Sequence, residues 1–404
     1  MLPRPEWWLA GWTAVAATWW GSALWLVRRR EERESRPLPS GRPDGSSAGP
    51  ELGRQHGGGP AGEASGLPRF LENRSSSLSI FKPLPPLRGS SPGALAAALE
   101  SFVCQLDDAT ELLLGIEDQD GPVWKPILKA WEQKYPTAKV RYVCQPRSLE
   151  LISPKVSWHR ILSEYARGEL WLWSDADILA PPGLLATLRQ EANGGLVTCL
   201  YAIRQVAVAP QMLEMLFVNV EMIPGILACE RAGALRFGFG AALLFRAEDF
   251  RQRVGWAAVS RMAEDYVMGR ELQPVTLSAV TVETIAAERH WPDALRHYLR
   301  WQKTVRWNRP GGFAGLVLVM PALGWLVCGQ WAGLAVTLAL EAAVAAWLCD
   351  RAGCPLRWRQ LWVLPVWSLL RPVAWLLCWL PIPVVFRSQG RVWSSVNHSR
   401  GTAS

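Results

Sequence analysis

The chain has 404 residues, half of them hydrophobic, with 24 tryptophans, eight cysteines and a formal net charge of +8 at pH 7. That length holds one large domain with extra segments, or two domains. The apolar content gathers at the two ends, which marks a membrane protein with a soluble middle. No nucleic-acid motif accompanies the basic balance, so the excess charge is assigned to a membrane surface, and with no Cys-x-x-Cys pair or zinc-spaced cluster the cysteines read as buried, reduced thiols.

Trp7 to Val27 is a continuous apolar segment followed by Arg28-Arg29-Arg30. It is long enough to cross a bilayer, which takes about 20 residues. A signal peptide carries its basic cluster before the apolar run, whereas here it follows, so residues 1–30 are expected to be an uncleaved anchor. The excess of arginine then places the rest of the chain on the cytoplasmic side. Residues 31–76 are rich in Gly, Pro, Ser, Glu and Arg and read as a flexible linker.

From Leu78 the pattern alternates. Strands are predicted at 78–83, 111–116, 139–143, 170–173, 194–201 and 241–245, and helices at 92–104, 124–134 and 156–166. Alternating strands and helices imply an α/β domain with a largely parallel sheet covered on both faces. The last third is apolar again: 313–328, 331–349, and 361–386, the last interrupted by Pro365, Arg371-Pro372 and Pro381 and flanked by arginines on both sides. Basic flanks on both sides predict a re-entrant or broken hairpin, with a single span as the alternative.

The chemistry-bearing residues follow predicted strand ends. Leu170-Trp-Leu-Trp-Ser-Asp-Ala-Asp177 delivers Asp175 and Asp177 to the carboxyl edge of the sheet, where open α/β sheets bind ligands. Two carboxylates one residue apart suit a hard divalent cation shared with phosphates; the plain alternative is a helix-capping turn. Asp118 ends another strand and can accept hydrogen bonds from a base or ribose, or serve only as a turn acid. Lys155, in Ser153-Pro-Lys155, can contact phosphate or simply be solvated. Glu264-Asp265 offers a general base, which a nearby metal would keep charged, or an acid that favours a helix start. His297, Arg300 and Trp301 precede the last apolar segments. Arg296, Arg300 and Lys303 are spaced for one helical face that grips phosphate, lies on anionic lipid, or both.

In order, Asp118, Asp175-x-Asp177, Glu264-Asp265 and His297-x-x-Arg300-Trp301 resemble the processive-type inverting glycosyltransferases of the GT-A fold. The likeness is closest to the ceramide glucosyltransferase group and the hopanoid-associated glycosyltransferases (families 2 and 21). Phe81-Lys-Pro-Leu84, Leu113-Leu-Gly-Ile-Glu-Asp118, Ala263-Glu-Asp-Tyr266 and Leu299-Arg-Trp301 also carry it, over roughly 78–310. The resemblance implies a GT-A (nucleotide-diphospho-sugar transferase) domain at 77–310, one N-terminal and two to four C-terminal membrane segments within 311–390, and a tail at 391–404. It implies transfer of a hexose, glucose or N-acetylglucosamine, from a UDP-sugar to a ceramide, sphingoid or hopanoid hydroxyl with inversion. Asp265 would be the base. Asp175 and Asp177 would hold Mg2+ or Mn2+, and Asp118, Lys155, Asp175, His297, Arg300 and Trp301 would bind the nucleotide-sugar. The implied partners are donor, lipid and bilayer, at the inner cell membrane. The chain departs from the family at His297, where Gln or Arg is usual. It departs from the ceramide enzymes at Ser153, where they have Asn, and in keeping both acids of the metal pair. A polysaccharide synthase and a non-enzymatic membrane scaffold are the rival classes. The few C-terminal segments weigh against the first and the intact acids against the second.

Overall fold

The structure is a computed structural model and describes residues 5–34, 76–87, 91–146, 153–260, 263–286, 290–380, 386–388 and 391–393. Most of the predicted linker, the segment 381–385 and the end of the predicted tail lie outside the described residues.

At the centre lies β1 (Leu78–Pro83), buried along its whole length. Parallel neighbours flank it: β2 (Thr110–Glu117) on one side and β4 (Leu170–Trp173) on the other, with Phe81 in register with Leu113 and Trp173. Strands covered on both faces are apolar almost throughout, which is why these segments read as runs rather than alternations. Side chains still alternate in destination. Ile80, Leu112, Leu114, Leu170 and Leu172 meet α2 (Gly93–Val103), α3 (Gly121–Lys134) and α5 (Leu184–Glu191) on one face. Phe81, Leu113, Trp171 and Trp173 pack on the other with α4 (Pro154–Ser163) and α7 (Glu264–Glu271).

The full sheet runs β3-β2-β1-β4-β7-β6-β8-β5, with β3 at Lys139–Gln145, β5 at Ile178–Leu179, β6 at Leu196–Ala202, β7 at Leu243–Arg246 and β8 at Val275–Thr284. It is mixed rather than largely parallel: β7 runs antiparallel to β4 and β6, and β5 antiparallel to β8. β7 reaches β4 from a segment that follows the long helix α6 (Ala209–Arg231) instead of from a crossover helix, so the parallel rule for βαβ units does not govern it. β5 is only two residues long, and β8, which alternates as Val-Thr-Leu-Ser-Ala and again as Val-Thr-Val-Glu-Thr with one slip between, was not foreseen as a strand either.

A helical layer covers the β6–β8 side. α6, α8 (Trp291–Asn308), α9 (Trp331–Arg351) and α10 (Val363–Trp379) share a core of Met212, Leu216, Tyr298, Ala345, Leu364 and Trp367. Pro224 explains the π-helical stretch Phe217–Met222 inside α6: its ring blocks the ordinary i→i−4 bond to Val220, and one wider turn absorbs it. Three described helices are long and apolar enough to cross a membrane: Ala209–Arg231, Trp331–Arg351 and Trp358–Trp379. The first was not foreseen as such, and 67% of its apolar window is buried inside the fold.

The predicted segment 313–328 is not one helix; it breaks at Met320-Pro321 between short turns of helix. The predicted hairpin instead begins as one unbroken helix, α10, running through Pro372 to Trp379. The N-terminal segment forms α1 (Pro5–Glu34), which continues past the basic cluster and is docked rather than merely tethered. Trp12 Nε1 donates to Leu318 O at 3.0 Å, Trp325 Nε1 donates to Thr13 Oγ1 at 2.8 Å, and Arg30 is buried where it donates to Ser278 O of β8. Trp7, Trp8, Trp331, Trp358 and Trp362 stand exposed near helix ends, the placement tryptophan takes at membrane interfaces.

Candidate active site

Because β1, β2 and β4 are parallel, their carboxyl ends share one edge of the sheet. Asp118 follows β2 and Asp175 follows β4, on opposite sides of β1. Under that edge β1 supplies Lys82, wholly buried, whose Nζ donates to Ser174 Oγ at 2.9 Å and to Asp175 O at 2.7 Å and lies 3.7 Å from the Phe102 ring centroid. Burial pushes the Lys82 ammonium down to about 7, against the pull of Asp177 and Asp175. Lys82 thus fixes the backbone of the Asp-x-Asp turn from below, a role invisible in a strand that reads as apolar.

Lys155 stands above the edge, in the first turn of α4. Its Nζ lies 2.6 Å from Asp175 Oδ1, 2.9 Å from Glu264 Oε1 and 3.5 Å from Gly240 O. Burial opposes its charge, yet the two carboxylates hold it well above the usual lysine range. The same lysine brings together strand β4 and helix α7, which lie far apart in the chain. Glu264 is correspondingly pulled below the usual carboxylate range: burial opposes its ionisation, and Lys155 prevails.

Asp265 sits beside this ion cluster without entering it. Its Oδ2 accepts from Gly240 N at 3.2 Å and its Oδ1 from Tyr266 N at 2.8 Å. Burial, then the Glu264 charge, push its carboxyl up to about 7. That direction belongs to the protein without a metal; a cation bound nearby would act the other way. Ala263, just before α7, holds a φ of 71°, uncommon for a residue with a Cβ and the kind of local strain that collects at functional sites. Gly240 is the common floor: a Cβ there would lie 3.0 Å from Lys155 Nζ, 3.5 Å from Asp175 Oδ2 and 3.8 Å from Asp265 Oδ2.

Asp175 and Asp177 are both partly exposed at the edge. Asp177 Oδ2 accepts from Thr284 Oγ1 at 3.3 Å. Burial, then the charge of Asp175, push Asp177 up to about 6. Two partly exposed carboxylates one residue apart, with the charge of Asp175 raising Asp177's cost of ionisation, fit a divalent cation. Among the described residues no group of three or more His, Cys, Asp or Glu side chains is placed to hold a metal, so such a cation would complete its shell with substrate oxygens.

The remaining predicted residues divide. Asp118 reaches the Cys144 thiol at the far side of the edge. Arg300 lies near enough to Glu264 and Tyr201 to act on their charges. Trp301 stacks on Phe217 at 4.9 Å and lines a cavity. His297 turns toward α6: its Nδ1 is 2.5 Å from Glu214 Oε1 and its ring 4.0 Å from Trp301. The expected single basic face on α8 does not form. Arg296 is exposed and bound to Asp293, while Lys303 is buried under α10.

The cavity, of about 580 Å³, is open at one side and runs from Gly240 and Asp265 along α6 and α8 to Trp19 and Trp20 of α1, Val344 of α9 and Trp367 of α10. Its walls are mostly apolar. Its lining comes from segments far apart in the chain, among them α1, β6, α6, α7, α8, α9 and α10, so no local pattern announces it.

Residues 68–391 match the sequence model of glycosyl transferase family 21. No curated protein matches the chain. Among solved structures the chain is similar to a mannosyltransferase from Pyrobaculum calidifontis in complex with GDP-Man and Mn2+, at 16% identity and a TM-score of 0.41, covering 91% of this chain and 99% of that one. It is also similar to glucosyl-3-phosphoglycerate synthase from Mycobacterium tuberculosis in complex with Mn2+ and UDP-Glc, at 11% identity and a TM-score of 0.35, covering 61% of this chain and 84% of that one.

Proposed function

The chain belongs to glycosyl transferase family 21 and is a glycosyltransferase, and on the geometry of its site we propose that it moves a hexose, glucose or N-acetylglucosamine, from a UDP-sugar to the hydroxyl of a membrane lipid of the sphingoid or hopanoid kind, with inversion. The observation that carries this reading is one cavity whose wall includes both Asp265 and the membrane-type helices α9 and α10. A soluble acceptor needs no such passage.

In this reading the donor diphosphate lies at the Asp118–Asp175–Asp177 edge, with Lys155 and Arg300 facing its charge. Mg2+ or Mn2+ held by Asp175 and Asp177 would offset the charge that develops on the leaving UDP. Asp265 accepts the proton of the lipid hydroxyl. That oxygen bonds to the anomeric carbon as the carbon–phosphate-oxygen bond breaks on the opposite face, and the electron pair leaves with UDP. Gly240 N and Tyr266 N hold the Asp265 carboxylate in place. Trp301 closes the cavity wall beside the acceptor, and His297, fixed on Glu214, orients it. The arginines of α1 and the exposed tryptophans support a catalytic domain facing the cytoplasm at the inner membrane.

The test incubates membranes carrying the chain with radiolabelled UDP-sugars and identifies the labelled lipid. Asp265→Asn is expected to bind UDP with Mn2+ normally and to label no lipid. Labelling at the wild-type rate by that variant would remove Asp265 from the role.

A further inference from the structure

Ser174 stands between the last residue of β4 and Asp175, wholly buried, and takes no part in the proposed chemistry. Its Oγ accepts from Lys82 Nζ at 2.9 Å and donates to Ala241 O at 2.7 Å. An ammonium group donates and cannot accept, so the hydroxyl hydrogen is left for a carbonyl, and the relay runs one way, from Lys82 through Ser174 to Ala241. Asp175 O, the other acceptor in reach, is 3.5 Å from Ser174 Oγ and already accepts from Lys82 at 2.7 Å. The position is the informative part. β4 and β7 pair antiparallel as far as Trp173 with Leu243, and one residue further the Ser174 side chain carries the connection on. It joins the turn that bears Asp175 to the loop 238–241.

That loop is held at each of its four residues. Gly238 N donates to Asp265 O at 3.0 Å, Phe239 N to Thr198 Oγ1 at 2.9 Å and Gly240 N to Asp265 Oδ2 at 3.2 Å. Those three bonds fasten it to α7 and β6. The bond from Ser174 to Ala241 O fastens it to the donor edge, with Lys155 Nζ at 3.5 Å from Gly240 O as a longer second tie. A base works only at the right distance from the carbon under attack. Here that carbon is fixed through the diphosphate at the edge, while the loop holds the base. Resting on the reading of Asp265 as that base, we infer that Ser174 is a positioning residue: its hydroxyl is the strut that sets the distance between the Asp175 turn and the Asp265 carboxylate. It touches no substrate, so it acts on the rate and not on donor affinity.

Ser174→Ala removes one buried oxygen and tests this in the full-length chain. Its kcat is expected to fall about 10–100-fold, while its affinity for UDP with Mn2+ stays within about threefold of wild type by titration calorimetry. The acid limb of its pH profile should move to higher pH, because a displaced Gly240 N–H no longer favours the ionised carboxylate. Amides of the loop 238–241 should exchange faster by hydrogen-exchange mass spectrometry. Lys82→Met leaves Ser174 able to donate to Ala241 but strips a donor from Asp175 O, so it should instead weaken UDP–Mn2+ binding about tenfold. A packing defect alone would not divide rate from affinity between two side chains in contact. Ser174→Cys, a weaker donor of similar size, should fall between Ser174→Ala and wild type in rate. Wild-type kcat in Ser174→Ala, a loss of UDP–Mn2+ affinity as large as its loss of rate, or unchanged exchange in the loop would overturn the proposal. Asp265→Asn separates the two readings: if that variant labels lipid at the wild-type rate while Ser174→Ala turns over slowly with a faster-exchanging loop, the strut stands and the base reading falls.

Discussion

Glu264 and Asp265 are consecutive acids with opposite fates, and the difference can be measured. Lys155 keeps Glu264 ionised, while burial and the Glu264 charge raise Asp265 to about 7. A base must be ionised to act, so turnover falls as pH drops through about 7, with roughly a tenth of the maximal rate left one pH unit below. Replacing Glu264 with Gln removes one of the two effects that raise Asp265. Burial is the larger and stays, so the midpoint is expected to move down by about one pH unit, or ~1.4 kcal/mol. The assay is kcat/KM against pH for wild type and Glu264→Gln at saturating Mn2+. A bound cation lowers both midpoints together, so the difference between them is the informative quantity. An unchanged midpoint, or a shift upward, would refute the electrostatic account. Asp265→Asn is the control and should abolish the limb along with ~10²–10⁴-fold of the rate.

The raised Asp265 also has a stability consequence. Its folded value, about 7, lies above its ordinary 3.8, so the folded protein binds more protons than the unfolded chain between those values and loses stability as pH rises through that window. Thermal melting at pH 8 should therefore find Asp265→Asn more stable than wild type, by at most about 4 kcal/mol, with the gap closing below pH ~4. Asp175→Asn or Asp177→Asn should weaken Mn2+-dependent UDP binding by at least ~10-fold in titration calorimetry, and a chelator should abolish turnover reversibly. Lys155→Met leaves Asp175 and Glu264 facing each other without their shared cation; it should lower stability by about 2–3 kcal/mol in melting experiments and raise the KM for the donor. Gly269→Ala would drive a Cβ into the Phe237 and Gly238 backbone, and Gly238 N donates to Asp265 O at 3.0 Å. The variant should lose about 1–3 kcal/mol of stability and, by displacing Asp265, most of its turnover.

The candidate edge was legible because buried parallel strands write themselves as apolar runs, and charges at the end of such a run must meet solvent, a partner or a ligand. Leu78–Pro83 and Leu170–Trp173 were placed to the residue for that reason. Lys155 was weighed as a solvated side chain, and only the approach of α7 to β4 turned it into the link between Asp175 and Glu264. Lys82 stood only inside the Phe81-Lys-Pro-Leu84 likeness and had no role assigned, since a lysine at position five of a six-residue strand is ordinary in sequence, and its burial depends on Phe102 and Ser174 from distant segments.

The helical layer was harder to read because one pattern serves two purposes. Ala209–Arg231 is apolar on nearly every face, as a membrane span is, yet it is largely enclosed by β6, α8, α9 and α10. A helix hydrophobic all round announces burial without saying in what. The informative departures were its few charges. Glu214 meets His297, and Glu221 meets Tyr298, Gln302 and Arg371, so each acid inside an apolar run has its partner on a helix 77 or more positions away. Arg371 was noticed only as an interruption beside Pro372. In the fold it is the cation that allows two carboxylates to face one apolar cavity. The sequence distance between a charge buried in this layer and its counter-charge is what hid the cavity's helical wall, while the edge built at strand termini stood in plain view.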